Sequence, residues 1–238
     1  QPRGWLWWIP SALLTVPPFV LIAIQPDLGS AAVLLALFFG MLYWAGAPFK
    51  LLGGFAALGL GAAAAAYPFL REYQRQRILT FLRPGSDPLG AGYNLTQSKI
   101  ALGSGLLFGK GFGQGTQTNF EFLPEFHTDW IFASLGEQFG FLGCAAAIAL
   151  YALIVWRGLG IVSRARDRFG ALLAGGLMTI ILAHLAINLG MALGLAPVTG
   201  LPLPFLSAGG SSLVTNFALF GLIVNIGMRR NVFTRLNM

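Results

Sequence analysis

Midway along the chain stands Glu121-Phe-Leu-Pro-Glu125-Phe-His127-Thr128-Asp129-Trp130, where ionisable side chains alternate with Phe126 and Thr128 before an apolar run begins. A carboxylate at such a boundary, shielded from water, has its pKa raised by desolvation and can serve as a general base. Asp129 is the candidate, with Glu125, His127 and Thr128 in support. Two other readings stay open. Asp129 is also placed to cap the helix that follows, because its side chain can accept from unpaired backbone N–H groups. With Glu125 or His127 it could also hold a hard divalent cation such as Mg or Mn, although this spacing is a weak metal pattern. Glu137, about two turns further on, is a second carboxylate in apolar surroundings, where an ionisable group is a functional candidate by default.

Cations crowd the preceding segment: Arg71, Arg75, Arg77, Arg83, Lys99 and Lys110. Arg71, Arg75 and Arg77 recur at helical or turn spacing just beyond an apolar run, about where a lipid diphosphate would sit. Fork-shaped guanidinium groups suit phosphate oxygens. The plainer reading is a solvated loop. Glycines at 103, 105, 109, 111, 113 and 115 allow tight turns or close backbone approach to a ligand. They do not make a nucleotide loop. The spacing from Gly103 to Gly109 overshoots a Walker box by one residue, Gly111 follows Lys110 where Ser or Thr should stand, and no G-x-G-x-x-G occurs. Nucleotide is therefore not expected. Asp27 reads as the cap of a helix beginning at Leu28. His184 and Asn188, four apart on one helical face, read as interhelical hydrogen-bonding groups.

The elements that must position these groups lie in a membrane. Of the 238 residues 56% are hydrophobic and only 10% are charged, against about 25% charged in a soluble domain. So few charges cannot coat a water-soluble fold. The net charge of +7 does not point to nucleic acid, since Arg and Lys gather at the cytoplasmic ends of membrane spans. Cys144 is the one cysteine, so no internal disulfide can form.

A hydrocarbon core of ~30 Å needs about 20 apolar helical residues. Six stretches qualify, near Trp5–Ile24, Leu28–Gly46, Phe49–Leu70, Trp130–Trp156, Phe169–Leu193 and Ser212–Met228. The expected fold is all-α: one polytopic membrane domain over residues 1–238, with a long extracytoplasmic catalytic loop at 71–129. Pro10, Pro17 and Pro18 predict a kinked first span, and the glycines and alanines of the third predict burial against other helices. Leu95–Leu107 should form a short surface or re-entrant helix. Arg157, Arg164, Arg166 and Arg168, with Arg229, Arg230 and Arg235, Arg3 and Lys50, all fall in the cytoplasm if both termini are inside. The 71–129 segment and the Pro-rich 196–211 loop then face outward.

Five strings carry a resemblance: QPDLGSA (Gln25–Ala31), YQRQRILTFLRPGSDPLGAGYNLTQSKIALGSG (Tyr73–Gly105), GKGFGQGTQ (Gly109–Gln117), FLPEFHTDWIFASLGEQFGFLG (Phe122–Gly143) and GLPLPFLSAGGSS (Gly200–Ser212). In this order they resemble the SEDS family of bacterial cell-wall glycosyltransferases, and its rod-shape branch more than its division branch. The resemblance implies about ten spans in the whole protein, each of ~20 residues, and a multi-pass place in the bacterial cytoplasmic membrane with the active site outward. It also implies polymerisation of lipid II into β-1,4 glycan strands from an undecaprenyl-diphosphate donor during elongation. Asp129 takes the family's essential acid position, a divalent cation supports activity, and a class B penicillin-binding protein is the transpeptidase partner. Gln138, Ala208 and Leu106 depart from the family's Glu, Tyr and Gly.

A flippase for the same lipid-linked precursor is the main rival, since Gly- and Pro-interrupted spans suit transporters too. An inert scaffold for a partner synthase is a third reading. Neither explains why the chemistry-capable residues gather on one face.

Overall fold

The computed structural model of the protein describes residues 8–25, 27–69, 72–83, 87, 90–120 and 122–229. Among these residues the fold is all-helical. The helices are α1 (Ile9–Ile24), α2 (Leu28–Trp44), α3 (Phe49–Ala66), α4 (Glu72–Leu82), α5 (Ala91–Ser104), α6 (Thr116–Asn119), α7 (Ile131–Ser163), α8 (Arg168–Leu193) and α9 (Gly210–Arg229).

The six apolar stretches all form helices. By length and composition, α7, α8 and α9 can cross a membrane, while α1 to α3 are shorter. At 26 residues, α8 extends about 39 Å; the 16 residues of α1 reach about 24 Å, short of the ~30 Å hydrocarbon layer. Pro10 sits in the first turn of α1, where its missing N–H is no loss. Pro17 and Pro18 lie inside a helix that continues through both. At the start of α2 the Asp27 carboxylate accepts the Ser30 N–H at 2.9 Å, the cap expected from its position. The expectation for α3 fails: side chains added at Gly53, Gly54, Gly59 or Gly61 would meet nothing within 4 Å. Its small face has no partner among the described residues.

Two compact units emerge. One draws on residues 1–70, 155–183 and 217–238, the other on 71–154 and 184–216. In the first, Val162, Ala174, Leu177, Met178, Ile181 and Ile223 form a buried cluster edged by Trp44. The Trp44 indole N–H donates to Thr179 Oγ1 at 3.1 Å, so the ring's polar edge is satisfied. The second unit holds every candidate site residue that the structure describes. Its core joins Leu95 and Ala101 of α5, Leu123, Trp130, Ala133 and Met191. A neighbouring cluster joins Phe132, Tyr151, Ala192 and Leu203. The buried Ser98 hydroxyl donates to the Ala192 carbonyl at 2.9 Å, fastening α5 to α8. The surface helix expected over Leu95–Leu107 is α5, set a few residues earlier because Asp87 accepts the Gly90 and Ala91 N–H groups at its start, each at 2.9 Å.

Candidate active site

Asp129 lies in a tight turn before α7. The Glu125 carbonyl accepts the N–H groups of Thr128, Asp129 and Trp130, at 3.1, 3.1 and 3.3 Å. Gathering three donors onto one carbonyl holds Glu125 at φ +54°, a backbone region that costs an ordinary residue of order 1–3 kcal/mol. No N–H among the described residues donates to the Asp129 carboxylate, so the expected helix cap is not formed. The carboxylate lies instead beside Gly200, where an added Cβ would stand 3.3 Å from Oδ2. Gly200 has φ +70°, so glycine there provides both the turn and the room.

Three long-range bonds hold the turn. The Asn188 carboxamide, buried in α8, donates to the Asp129 carbonyl at 2.9 Å and to the Leu201 carbonyl at 2.7 Å. The Ser207 hydroxyl donates to the Thr128 carbonyl and accepts the Leu203 N–H at 2.7 Å. The Ala208 N–H donates to the His127 carbonyl at 2.9 Å. This last bond is main-chain, so alanine serves there as well as the family's tyrosine. The buried Tyr151 hydroxyl donates to the Pro204 carbonyl, steadying the same loop from α7. Asn188 is a hydrogen-bonding residue as expected, but its partners are backbone carbonyls of loops rather than a neighbouring helix. Ser207 and Tyr151 escape the sequence reading; Ser207's place in the PFLSAGG string is the available signal.

Burial raises the Asp129 pKa first, the nearby Glu125 charge raises it further, and a hydrogen bond from Thr128 works the other way. The Thr128 hydroxyl also bonds Glu125, at 3.1 Å to its carboxylate and 3.2 Å to its carbonyl. His127 is exposed and its ring packs on Phe126, with centroids 3.7 Å apart. Two of the cations lie against the 194–200 stretch that also carries Gly200. Lys99 lies over Gly194, where an added Cβ would stand 2.6 Å from Nζ, and Arg77 shares a narrow crevice with Ala196, Pro197 and Val198. Arg75 shares α4 with Arg77 and has an interaction of its own. Arg71 lies outside the described residues, as does Glu121.

Lys110 and Glu137 are placed elsewhere in the unit, with each other. Lys110 Nζ lies 2.8 Å from Glu137 Oε1, and the Glu137 side chain is completely buried. Glu137 also accepts the Gln117 N–H at 2.9 Å, the Thr118 N–H at 3.2 Å and the Thr116 hydroxyl at 3.2 Å. The carboxylate is thus the hub of the 110–118 loop.

Beside it α7 is broken. Gly140 takes φ +65° and ψ −161°, leaving the carbonyls before the break and the N–H groups after it without intrahelical partners. The glycine-rich loop supplies them. Lys110 and Gly111 donate to the Glu137 and Gln138 carbonyls at 2.9 and 3.0 Å; Phe141 and Leu142 donate to the Leu106 and Leu107 carbonyls at 2.8 and 3.2 Å. Leu106 sits at φ +48° in this exchange, at the position where the family carries glycine.

Residues 1–232 match the model of the FtsW/RodA/SpoVE family of cell cycle proteins. The chain belongs to that family. It is 44% identical over 226 residues to the peptidoglycan glycosyltransferase MrdB of Escherichia coli K12, a match covering 94% of this chain and 61% of that relative. The chain therefore spans about three-fifths of that relative's length. Among solved structures it resembles a chain of a peptidoglycan synthase complex that coordinates polymerization and crosslinking, at TM-score 0.79 and 32% identity, over 98% of this chain and 65% of the other. It also resembles the rod shape determining protein RodA of Thermus thermophilus, at TM-score 0.61 and 29% identity, over 98% of this chain and 59% of the other. The rod-shape branch of the family is favoured over the division branch, and membership makes the chain part of a polytopic membrane protein.

Proposed function

We propose that the whole protein polymerises lipid II into β-1,4 glycan strands at the outer face of the bacterial cytoplasmic membrane, with Asp129 as its base. The observation carrying this reading is a single half-buried carboxylate of raised pKa, in a turn held by Asn188 at the Asp129 carbonyl and by Ser207 at the Thr128 carbonyl, with its side chain left toward Gly200. The acceptor's 4-hydroxyl attacks the anomeric carbon of the α-linked donor. The new C–O bond forms as the bond to diphosphate breaks, the hydroxyl proton passes to Asp129, and undecaprenyl diphosphate leaves. The leaving group carries the driving force, so no nucleotide is needed. Arg77 and Lys99 border the same loop as Asp129 and would stabilise charge developing on the diphosphate. Arg71 and Arg75 belong to the same cationic segment. Lys110 and Glu137 would act at one remove, by shaping the 110–118 loop; Thr128 and His127 would shape the turn.

The alternative role for Asp129 is that of a metal-linked carboxylate: among the described residues no group of three or more His, Cys, Asp or Glu could hold a metal, so a divalent cation, Mg or Mn, would take two hard oxygen ligands from Asp129 and Glu125 and the remainder from the diphosphate. Such a cation would polarise the diphosphate and relieve the repulsion between the carboxylates. Likeness to a chain of the synthase complex supports a crosslinking partner of the class B penicillin-binding type. The deciding experiment is polymerisation of purified lipid II by the full-length protein. Asp129→Asn should lower the rate by about 10²–10⁴ with membrane insertion unchanged; a wild-type rate would end the assignment.

A further inference from the structure

The first unit contains a cavity of about 460 Å³ lined by Arg166 just before α8, by Phe169 in its first turn, and by Leu222, Asn225, Ile226 and Arg229 of α9. Its chemistry is divided. Arg166 and Arg229 bring two guanidinium groups and Asn225 an amide, while Phe169, Leu222 and Ile226 are apolar. Asp167 is the only acid among the described residues that line it, one carboxylate against two guanidinium groups, and it accepts the Gly170 N–H at 3.0 Å at the start of α8. Phe169 is 75% exposed, a large ring standing uncovered beside the cations. Both helices are long and apolar enough to cross a membrane, so cations at this end of them stand at the level of lipid headgroups.

We propose that this cavity is a binding site for an anionic phospholipid. Arg166 and Arg229 grip the phosphate through paired N–H donors, Asn225 donates to the headgroup, and an acyl chain covers Phe169, Leu222 and Ile226. Basic pockets between membrane helices recognise acidic headgroups in this way. Arginines serving only as charges at helix ends would need no cavity between them and no apolar wall beneath them. The site belongs to the first unit and does not depend on the chemistry proposed at Asp129.

Native mass spectrometry of the full-length protein in detergent tests this with dioleoyl phosphatidylglycerol, dioleoyl phosphatidylcholine and glycerol 3-phosphate as probes. Phosphatidylglycerol should be retained about fivefold or more over phosphatidylcholine. The double variant Arg166→Gln/Arg229→Gln should bring that ratio close to one. Arg157→Gln should leave it unchanged. Leu222→Trp, which keeps both arginines but fills the cavity, should also lower phosphatidylglycerol retention. Equal retention of the two lipids, an unaffected double variant, or glycerol 3-phosphate binding as tightly as phosphatidylglycerol would each overturn the proposal, the last because it would make the site one for a free phosphate.

Discussion

Asn188 holds Asp129 by its main chain and leaves the carboxylate uncommitted. One carboxamide nitrogen bridges the Asp129 and Leu201 carbonyls at 2.9 and 2.7 Å. The bridge joins the turn before α7 to the loop carrying Gly200, so it fixes the distance between the proposed base and the wall it faces. Asn188→Ala would orphan two carbonyls inside a buried region, at about 1–3 kcal/mol for each. The expected result is a kcat reduced at least tenfold with KM for lipid II changed little, because the proposed base is displaced while the cations proposed to bind the diphosphate remain. A purely structural role would lower the yield of folded protein without separating kcat from KM.

The electrostatics of Asp129 predict a pH profile with a definite sign. A base works deprotonated, so activity should rise with pH through the raised Asp129 pKa. Glu125→Gln removes one of the two causes of that rise and should move the acidic limb of kcat/KM to lower pH. An unmoved limb would separate Glu125 from the titration of Asp129.

The same shift has a consequence for stability. A carboxyl whose folded pKa is raised favours the neutral form on folding, so its contribution is fully present below the unfolded pKa and lost as pH rises through the folded one. Above its folded pKa the ionised Asp129 therefore opposes folding. Asp129→Asn should unfold at an equal or higher temperature than wild type at pH 7, and the difference should shrink on acidification toward pH 4. A lower melting temperature at pH 7 would show that the carboxylate is held by a partner and is not poised for chemistry.

The ion pair under the glycine-rich loop should behave asymmetrically. Glu137→Ala removes the acceptor of four donors and leaves the Gln117 and Thr118 N–H groups without their partner, at about 1–3 kcal/mol for each. Lys110→Met should cost less, because the lysine is 27% exposed and Glu137 keeps the Gln117 and Thr118 N–H groups. Thermal unfolding in detergent checks the order, and a larger loss for Lys110→Met would reverse the assignment of Glu137 as the hub.

Local patterns in the sequence reach as far as local physics reaches. Apolar runs mark the spans, Asp27 marks a helix start, and the apolar boundary marks Asp129. What pattern cannot carry is contact between distant residues. Asn188 is 59 positions from Asp129 and Ser207 is 79 from Thr128, and nothing in either neighbourhood specifies the other. The Lys110–Glu137 pair, 27 positions apart, reads along the chain as two independent charges, one suited to phosphate and one to a buried acid. Only folding shows that each neutralises the other. The cap expected of Asp129 is likewise not formed: its local logic is sound, but the carboxylate lies beside Gly200 of a distant loop.

The break in α7 is equally invisible in the sequence, because Gly140 sits between Phe139 and Phe141 and a lone glycine within a span gives no turn signal. Its role can be tested directly. At φ +65° an added Cβ is strained whatever the space, and here it would also stand 2.4 Å from the Gly109 nitrogen and 2.6 Å from the Leu107 carbonyl. Gly140→Ala must therefore either strain the backbone, at about 1–3 kcal/mol, or close the break into continuous helix. Closure would expel the 106–111 backbone and orphan the groups it now satisfies, a heavy penalty wherever water is scarce. Loosening the loop should be visible as faster amide exchange at Lys110, Gly111, Phe141 and Leu142, whose N–H groups form the exchange between loop and helix, while α8 stays protected. Leu106→Gly should do the opposite, since it relieves the φ +48° leucine without touching a buried contact, and should be neutral or stabilising by up to ~1 kcal/mol. If Gly140→Ala leaves those four amides as slow as in wild type, the glycine is incidental and the loop is held by Glu137 alone.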